Sequence, residues 1–364
     1  MSKYLETLDP IIKEYYSILS EEFPEFLIKY IETPRMQKQD GISCSCGTYY
    51  SKMYDIDLWY SSLHHSIAVA LIIWHFTHDK KQALSGLFHD ISTPVFKHCI
   101  DFMSNDHENQ ETTEDLTKTV ILESKEIMSL LNEDKILIDE VADYHIYPIA
   151  DNNIPMLSAD RLEYTLSNGL GQVKKLWKLD EIRKIYSDII IVKKENGIPE
   201  MCFQDEKLAE RFVEVMSELS IIYMDDRRRF GMQFIADILK KMFNLGLISV
   251  SDLYELSEND IISKIRSCQN YNIKECFQIW QNGVDVKTID KQPKDKYSVN
   301  IKSKKRYINP LVKTNSGLQR IADISNKARD CIDNCLNYTF DRYIYMDFDF
   351  DDKQKVLKKN TIYL

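Results

Sequence analysis

Histidine is missing from most of this chain, because the 82 positions from His64 to His145 hold all eight copies and the other 282 of 364 hold none. Glycine and proline are scarce as well, with 10 and 9 residues, which excludes a collagen-like or loop-rich chain. No apolar run approaches the ~20 residues of a membrane span. The charged start MSKYLETLDPIIKEYY lacks the apolar segment of a signal peptide. We therefore expect a cytoplasmic protein of packed helices, with its chemistry near the clustered histidines.

Positive charge does not dominate the chain. The 47 Lys and Arg face 57 Asp and Glu, for a formal net charge of −10. Nonspecific nucleic-acid binding depends on Lys and Arg that neutralise phosphates, so this balance disfavours general nucleic-acid binding. The eight cysteines are scattered, which is typical of reduced thiols. Cys44 and Cys46 form a Cys-x-Cys pair without a matching second pair, which is a weak metal signal.

The apolar periodicity predicts a mostly α-helical fold. We expect an N-terminal helical segment at residues 1–48, a main helical domain at 49–284 and a small mixed α/β region at 285–364. This division predicts that the histidines lie within the main domain.

Three segments carry more specific structural predictions. The stretch KILIDEVADYHIY at 135–147 has helical spacing and is predicted to be a helix. Two apolar runs that flank Glu195-Asn196-Gly197 predict a β-hairpin. The alternation in residues 296–313 predicts a pair of strands.

The dipeptide His89-Asp90 is the strongest candidate for chemistry. It follows ALSGLF and precedes ISTPVFKH, so its side chains lie where an apolar helix ends inside the fold. A nitrogen and a hard carboxylate oxygen there suit Mn, Fe, Co, Ni, Zn or Mg better than a thiolate-binding metal. The second such dipeptide, His78-Asp79, precedes two lysines and is expected to be a solvated loop.

Two further side chains complete a candidate set of metal ligands. His65 lies near the start of the preceding helix, and Asp160 lies in the first turn of a later helix with Ser158 as its N-cap. The predicted ligands of one divalent ion are His65, His89, Asp90 and Asp160. The alternative is a buried hydrogen-bonded cluster that holds no metal.

The order, separations and contexts of these four residues resemble the HD-domain metal-dependent phosphohydrolases. The motifs that carry the resemblance are LHHSIAV, GLFHDISTPVFKH and SADRLEYTL. Within that superfamily, roughly residues 50–270 are most similar to the deoxynucleotide triphosphohydrolases. The resemblance implies an HD-domain helical core, a divalent metal ion as cofactor, a nucleotide substrate, with a deoxynucleoside triphosphate as first choice, and a homo-oligomer.

The same resemblance implies roles for further residues. The candidate catalytic residues are Asp101, His107, His98 and Glu108. A protonated His107 is expected to serve the leaving oxygen, with Asp101 orienting it. The candidate substrate-binding residues are Tyr164, one helical turn after Asp160, and Thr93.

The chain departs from that branch at two positions. Ser62 stands where the branch has a phosphate-binding Arg three residues before the first metal His, and Thr93 stands where it has a loop His. The basic segments 227–229 and 304–306 are candidate replacements, although such segments are more often solvated. Two alternatives therefore stay open. One is a mono- or binuclear phosphodiesterase or nucleotide phosphatase, in which His98, His107 and His145 are the candidate ligands of a second ion. The other is a non-catalytic nucleotide sensor.

Overall fold

The computed structural model describes residues 3–104, 116–193 and 197–350, which form a mostly α-helical protein, as predicted. The helices of its first half are α1 Lys3–Thr7, α2 Pro10–Leu19, α3 Glu25–Ile31, α4 Pro34–Lys38, α5 Ser62–Thr77, α6 Lys80–Phe88, α7 Cys99–Ser104, α8 Thr117–Glu123, α9 Lys125–Asp134, α10 Ala159–Ser167 and α11 Leu179–Ser187. The second half adds α12 Glu206–Met224, α13 Asp226–Asn244, α14 Val250–Glu255, α15 Glu258–Ser267, α16 Tyr271–Gln281, α17 Ile321–Ile324 and α18 Asn326–Leu336.

Short strands complete the described part of the chain. They are β1 Ile189–Lys193, β2 Pro199–Phe203, β3 Lys287–Ile289, β4 Ser298–Val299, β5 Leu311–Thr314, β6 Gly317–Arg320 and β7 Tyr343–Tyr345. The predicted hairpin is confirmed, because β1 and β2 pair antiparallel with Ile189 opposite Phe203. β2 also pairs in parallel with β5, so the hairpin belongs to a sheet of order β1-β2-β5-β6 that includes C-terminal strands.

The predicted strand pair in residues 296–313 is wrong. Both β4 and β5 lie within this range, but they do not pair with each other. β4 pairs with β7 in the sheet of order β3-β7-β4, and β5 pairs with β2 and β6. An alternating pattern predicts extended backbone, whereas the partner of a strand depends on contacts distant in sequence.

The predicted helix at 135–147 is also wrong. Helix α9 ends before Lys135, whose φ of 56° is left-handed. Glu140 then accepts a hydrogen bond from the Leu137 amide at 2.9 Å, and Asp143 accepts one from the His145 amide at 3.0 Å. Such local side-chain bonds compete with helical hydrogen bonds, and the segment forms only 3-10 turns and loops.

Helices α5 and α6 position the two predicted histidine ligands. A two-residue connection joins the helices, so the start of α5 lies beside the end of α6. Gly86 permits their close approach, because a Cβ there would lie 2.3 Å from Ile73 Cδ1 and 3.2 Å from Val69 Cγ1. His65, in the first turn of α5, therefore faces His89, which follows α6.

The segment after His89 crosses between two apolar clusters. Ile91 belongs to the larger cluster, which includes α5 and α6, whereas Val95 and Phe96 belong to a cluster built around α13, α15 and α16. The Val95 amide donates to the Leu253 carbonyl at 2.9 Å. These contacts anchor the segment that carries the candidate residues Thr93, His98 and Asp101.

Candidate metal centre

Three of the four predicted ligands converge on one point. The Nε2 atoms of His65 and His89 lie 3.2 Å apart, and Asp160 Oδ1 lies 3.1 Å from the first and 3.8 Å from the second. In the part of the chain that the structure describes, these three residues form the group with metal-ligand geometry. Donors about 2.1 Å from one ion lie roughly 3–4 Å from each other. The residues present therefore fit a metal ion.

Asp90 contributes a carboxylate at the edge of this group. Its Oδ2 lies 3.8 Å from His89 Nε2 and 4.0 Å from His65 Nε2. The same oxygen accepts a hydrogen bond from Lys97 Nζ at 2.5 Å. Asp90 is thus close enough to join the other three donors, and Lys97 is the cation that it contacts in this structure.

Hydrogen bonds at Nδ1 orient both His65 and His89. His89 Nδ1 lies 2.7 Å from the Gly86 carbonyl, to which it donates. His65 Nδ1 contacts the Glu163 carboxylate. A proton held at Nδ1 leaves Nε2 available to a metal, which is the usual arrangement of metal-bound histidine.

Glu163 is the functional residue to which the sequence reasoning assigned no role. It is fully buried, and one of its oxygens accepts hydrogen bonds from Tyr60 at 2.6 Å and from Tyr15 at 3.3 Å. Ser167 donates to the other oxygen at 3.3 Å. A buried carboxyl group that makes all these contacts indicates a positioning function. The sequence signal was its place one helical turn from both Asp160 and Ser167.

Neighbouring groups of opposite charge shift the pKa values of Asp90 and His65. Burial alone would raise the pKa of Asp90, but Lys97 and the two histidines hold it well below its usual range. Burial would lower the pKa of His65, yet Glu163 and Asp160 raise it to about 10. A proton on His65 and a divalent ion are thus alternative positive charges for the same carboxylates.

His98 and Asp101 form a pair next to the centre. His98 lines the same cavity, and its Nδ1 lies 2.9 Å from Oδ2 of the fully buried Asp101. Burial lowers the pKa of His98, so the ring is neutral near pH 7. Among the described residues, Asp101 therefore orients His98, whereas the expectation was His107. His107 and Glu108 lie outside the described residues.

The two predicted substrate-binding residues both line the cavity. Thr93 donates a hydrogen bond to Asp90 Oδ1 at 3.1 Å. Ser62, the other departure from the branch, donates to Asp90 Oδ2 at 3.3 Å. Both residues at which the chain departs from the branch therefore contact Asp90. Tyr164 is half-buried, and burial raises its pKa to about 12.

The cavity extends from the metal centre to residues distant in sequence. Its volume is about 200 Å³, and Arg228, Lys304 and Arg306 line it together with the ligands. Tyr144, Tyr164 and Tyr223 supply aromatic surface. By contrast, His145 is exposed, with Nδ1 2.9 Å from Asp143, so it does not join the group of His65, His89 and Asp160.

Comparison with known proteins shows the fold. No family model matches the chain. The uncharacterized protein YdhJ of Bacillus subtilis (strain 168) is 24% identical over 271 residues, which cover 73% of this chain and 78% of YdhJ. A hypothetical protein from Aquifex aeolicus has a solved structure with a TM-score of 0.60 at 16% identity, covering 89% of this chain and 93% of that one.

A phosphohydrolase from Bacteroides thetaiotaomicron VPI-5482 is similar in structure as well. Its TM-score is 0.63 at 11% identity, and the similarity covers 89% of this chain and 96% of that chain. The chain thus shares its overall fold with this protein over most of its length. Among the described helices, none is both long and apolar enough to cross a bilayer.

Proposed function

We propose that this protein is a metal-dependent phosphohydrolase of the HD-domain type that acts on a nucleotide, with a deoxynucleoside triphosphate as first choice. The observation that carries the proposal is the convergence of His65, His89 and Asp160, with Asp90 beside them, at one end of a cavity that basic side chains also line. A shared fold with a phosphohydrolase supports it.

The ligands would be His65, His89, Asp90 and Asp160. A divalent ion held there would polarise a phosphoryl oxygen and activate water for attack on phosphorus. Glu163 and the Gly86 carbonyl hold the two imidazoles at Nδ1, which leaves each Nε2 facing the point where the candidate ligands converge. Both carboxylates are ionised near neutral pH, because cationic neighbours lower the pKa of Asp90 and of Asp160.

His98 is the described residue best placed to move a proton. Asp101 keeps its Nδ1 protonated, which leaves Nε2 as an acceptor for a proton from water or as a donor once it is protonated. Tyr164 lies one helical turn from Asp160 and supplies a phenol and an aromatic face to the cavity. The substrate's sugar or phosphate is the proposed partner of this side chain.

A metal measurement tests the centre. Purified protein is expected to hold about one divalent ion per chain, and the double variant His89→Ala/Asp90→Ala is expected to hold none. The control is His78→Ala/Asp79→Ala, which alters the other His-Asp dipeptide and is expected to keep the metal. Retention of metal by the first variant would refute the ligand assignment.

Product analysis tests the reaction. With Mn²⁺ and a panel of deoxynucleoside triphosphates, inorganic triphosphate and a nucleoside are the expected products. Release of phosphate or of a nucleoside monophosphate would favour a phosphatase or phosphodiesterase instead. Binding without turnover would favour the sensor. These alternatives belong in the test because Ser62 and Thr93 contact Asp90, at the two positions where the branch has a phosphate-binding Arg and a loop His.

A further inference from the structure

We propose that Lys38 and Glu258 are positioning residues of the candidate metal centre, and that the protons they carry set how firmly the segment of residues 91–96 is held. This segment follows Asp90 directly and leads to Lys97. The proposal rests on the function proposed above and deepens it, but its main test needs neither metal nor substrate.

Side chains from two helices bond to backbone atoms of this segment. Lys38, the last residue of α4, donates from Nζ to the Thr93 carbonyl at 3.3 Å. Glu258, the first residue of α15, accepts from the Phe96 amide at 3.1 Å. The two bonds lie three residues apart on the segment, so they fix the peptide units that connect Asp90 with the candidate residues further along.

Packing brings the two helices together at this segment. An added Cβ at Gly41, three residues after Lys38, would lie 2.8 Å from Ser257 Cβ, so the chain after α4 lies against the start of α15. The buried Gln39 donates from Nε2 to the Ile91 carbonyl at 2.7 Å. The segment is therefore held where α4 and α15 meet, and the bond from Gln39 involves no titratable group.

Burial moves the pKa of both proposed residues towards neutrality. The pKa of Lys38 falls from 10.5 to about 7, first through burial and then through the charge of Arg35. Burial raises the pKa of Glu258 from 4.5 to about 8. Between pH 7 and 8, Lys38 has thus lost its proton while Glu258 still carries one, and both side chains are uncharged. This pairing avoids the cost of a buried charge without a partner.

Other titratable groups surround the two side chains. The groups that act on Lys38 or Glu258, or on which Glu258 acts, are Arg35, Glu255, Tyr50, Lys97, Cys46 and Cys99. Burial would lower the pKa of Lys97, but Asp90 raises it above the usual lysine range, so this cation persists. Burial raises the pKa of Tyr50 and of both cysteines, which favours their neutral forms. Of these groups with a shifted pKa, Lys38 and Glu258 are thus the two that change charge near neutral pH.

The two pKa shifts predict that the segment is held least firmly around pH 7 to 8. In a locally opened form both groups reach water and regain their ordinary pKa values of 10.5 and 4.5. Between pH 4.5 and 7 only the closed form keeps the proton on Glu258, so rising pH weakens it by up to about tenfold per unit. Between pH 8 and 10.5 only the open form keeps the proton on Lys38, so rising pH strengthens the closed form. Between pH 7 and 8 the two effects cancel.

Hydrogen exchange in metal-free protein measures this opening. Protein stripped with a chelating resin is followed by mass spectrometry from pH 5.5 to 9.5, and protection factors correct for the pH dependence of exchange itself. For a peptide that covers residues 91–98, we expect protection to fall at least about tenfold from pH 5.5 to 7 and to rise at least about tenfold from pH 8 to 9.5. A peptide that covers α18 reports global unfolding and should show no such minimum.

Each substitution should remove one side of the minimum. Glu258→Gln keeps an acceptor for the Phe96 amide but cannot titrate, so the fall below pH 7 should vanish. Lys38→Arg, which stays charged, and Lys38→Met, which cannot carry a charge, should both lose the rise above pH 8. If one Lys38 variant does not fold, as circular dichroism would show, the other decides the test. A purely structural role would change protection at every pH and keep both sides.

The chain offers controls of matched chemistry. Glu255→Gln alters an exposed carboxylate three residues before Glu258, and Lys13→Met alters an exposed lysine on α2. Both control variants should keep the two sides of the minimum.

Calorimetric titration with Mn²⁺ at pH 7.5 measures the effect on the centre. Glu258→Ala leaves the Phe96 amide without its acceptor and should weaken Mn²⁺ binding about 3- to 10-fold, the usual contribution of one hydrogen bond. Glu258→Gln keeps the acceptor and should bind Mn²⁺ within about twofold of the original protein.

Failure of this inference can be told from failure of the proposed function. A steady rise or fall of protection across the pH range, or a minimum that survives in both Glu258→Gln and the Lys38 variants, overturns the inference even if nucleotides are hydrolysed. Equal Mn²⁺ affinity in Glu258→Ala and the original protein overturns it as well. The expected minimum and Mn²⁺ affinities, with no hydrolysis of any nucleotide, keep the inference and reject the phosphohydrolase.

Discussion

Asp90 accepts hydrogen bonds from three side chains at once. Lys97 and Ser62 contact one carboxylate oxygen, and Thr93 contacts the other. Lys97 is nearly buried, and although burial alone would lower its pKa, Asp90 raises it above the usual lysine range. This lysine therefore stays charged at neutral pH and would compete with a bound metal ion for the carboxylate.

The variant Lys97→Met separates the effect of this ion pair on stability from its effect on metal affinity. In metal-free protein the variant leaves Asp90 without its cation, and the free energy of unfolding should fall by about 3 kcal/mol. With the cation gone, Mn²⁺ should bind about tenfold more tightly. Thermal unfolding with and without Mn²⁺ checks both expectations. Lys305→Met is the control, and a loss of metal affinity in Lys97→Met would contradict the competition.

Glu163 contacts His65 and would act on a bound metal ion through this ring. Glu163→Gln keeps the size of the side chain but removes the charge that holds the His65 ring, so metal affinity should fall about 10- to 100-fold. Calorimetric titration with Mn²⁺ measures this. Tyr60→Phe removes only a donor to the other Glu163 oxygen and should have a much smaller effect. Equal losses in the two variants would indicate a general loss of packing instead.

At the scale of elements, the close approach of α5 and α6 brings His65 to His89. Gly86→Ala would place a Cβ against Ile73 Cδ1, and we expect a loss of about 1–3 kcal/mol in unfolding free energy and weaker metal binding. Ile73→Val removes that terminal methyl, so the alanine should cost less in its presence. A double-mutant cycle from urea unfolding checks this, and strict additivity would contradict it.

The segment after His89 is fixed to α15 by Glu258. The Phe96 amide donates to this carboxyl at 3.1 Å, and burial raises the pKa of Glu258 to about 8, well above its ordinary value of 4.5. The unfolded chain binds fewer protons at this residue between these two pH values. The contribution of Glu258 to stability is therefore complete below pH 4.5 and is lost as the pH rises towards 8.

Glu258→Gln should remove this pH dependence. Relative to the variant, the original protein should lose up to about 1.4 kcal/mol of unfolding free energy per pH unit between pH 5 and 8. Urea unfolding at pH 5, 6.5 and 8 measures the difference. Glu255→Gln, on an exposed carboxylate three residues earlier, should leave the slope unchanged. Parallel stability curves for the original protein and Glu258→Gln would show that Glu258 is ionised in the folded state.

At the scale of the whole molecule, metal binding should stabilise the fold, because the ligands come from segments far apart in sequence. At a free Mn²⁺ concentration of 100 Kd the gain is about 2.7 kcal/mol. His65→Ala should abolish the increase in Tm, whereas His75→Ala, on the same helix, should keep it. Scanning calorimetry with Mn²⁺, followed by removal with EDTA, makes the comparison. An equal response in both variants would place the metal elsewhere.

The helices and the metal centre were predictable from the sequence to different degrees. Apolar spacing and caps such as Ser158 are local signals, so α10 was expected. The 3-10 turns and loops of segment 135–147 were not expected, because Glu140 and Asp143 accept hydrogen bonds from backbone amides that compete with the helix its spacing predicts. The position of Arg228 and Arg306 could not be predicted, since charge alone does not distinguish them from Arg227 and Lys305.

The sequence by itself determined the helical class, because periodicity and capping are local, and it indicated His65, His89, Asp90 and Asp160 as ligands through their order on helices. Only the tertiary structure showed that Lys97 contacts Asp90, that Glu163 orients His65 and that basic residues far along the chain face the same cavity. These relations depend on how separate elements pack. Packing is set by long-range contacts that no local pattern encodes.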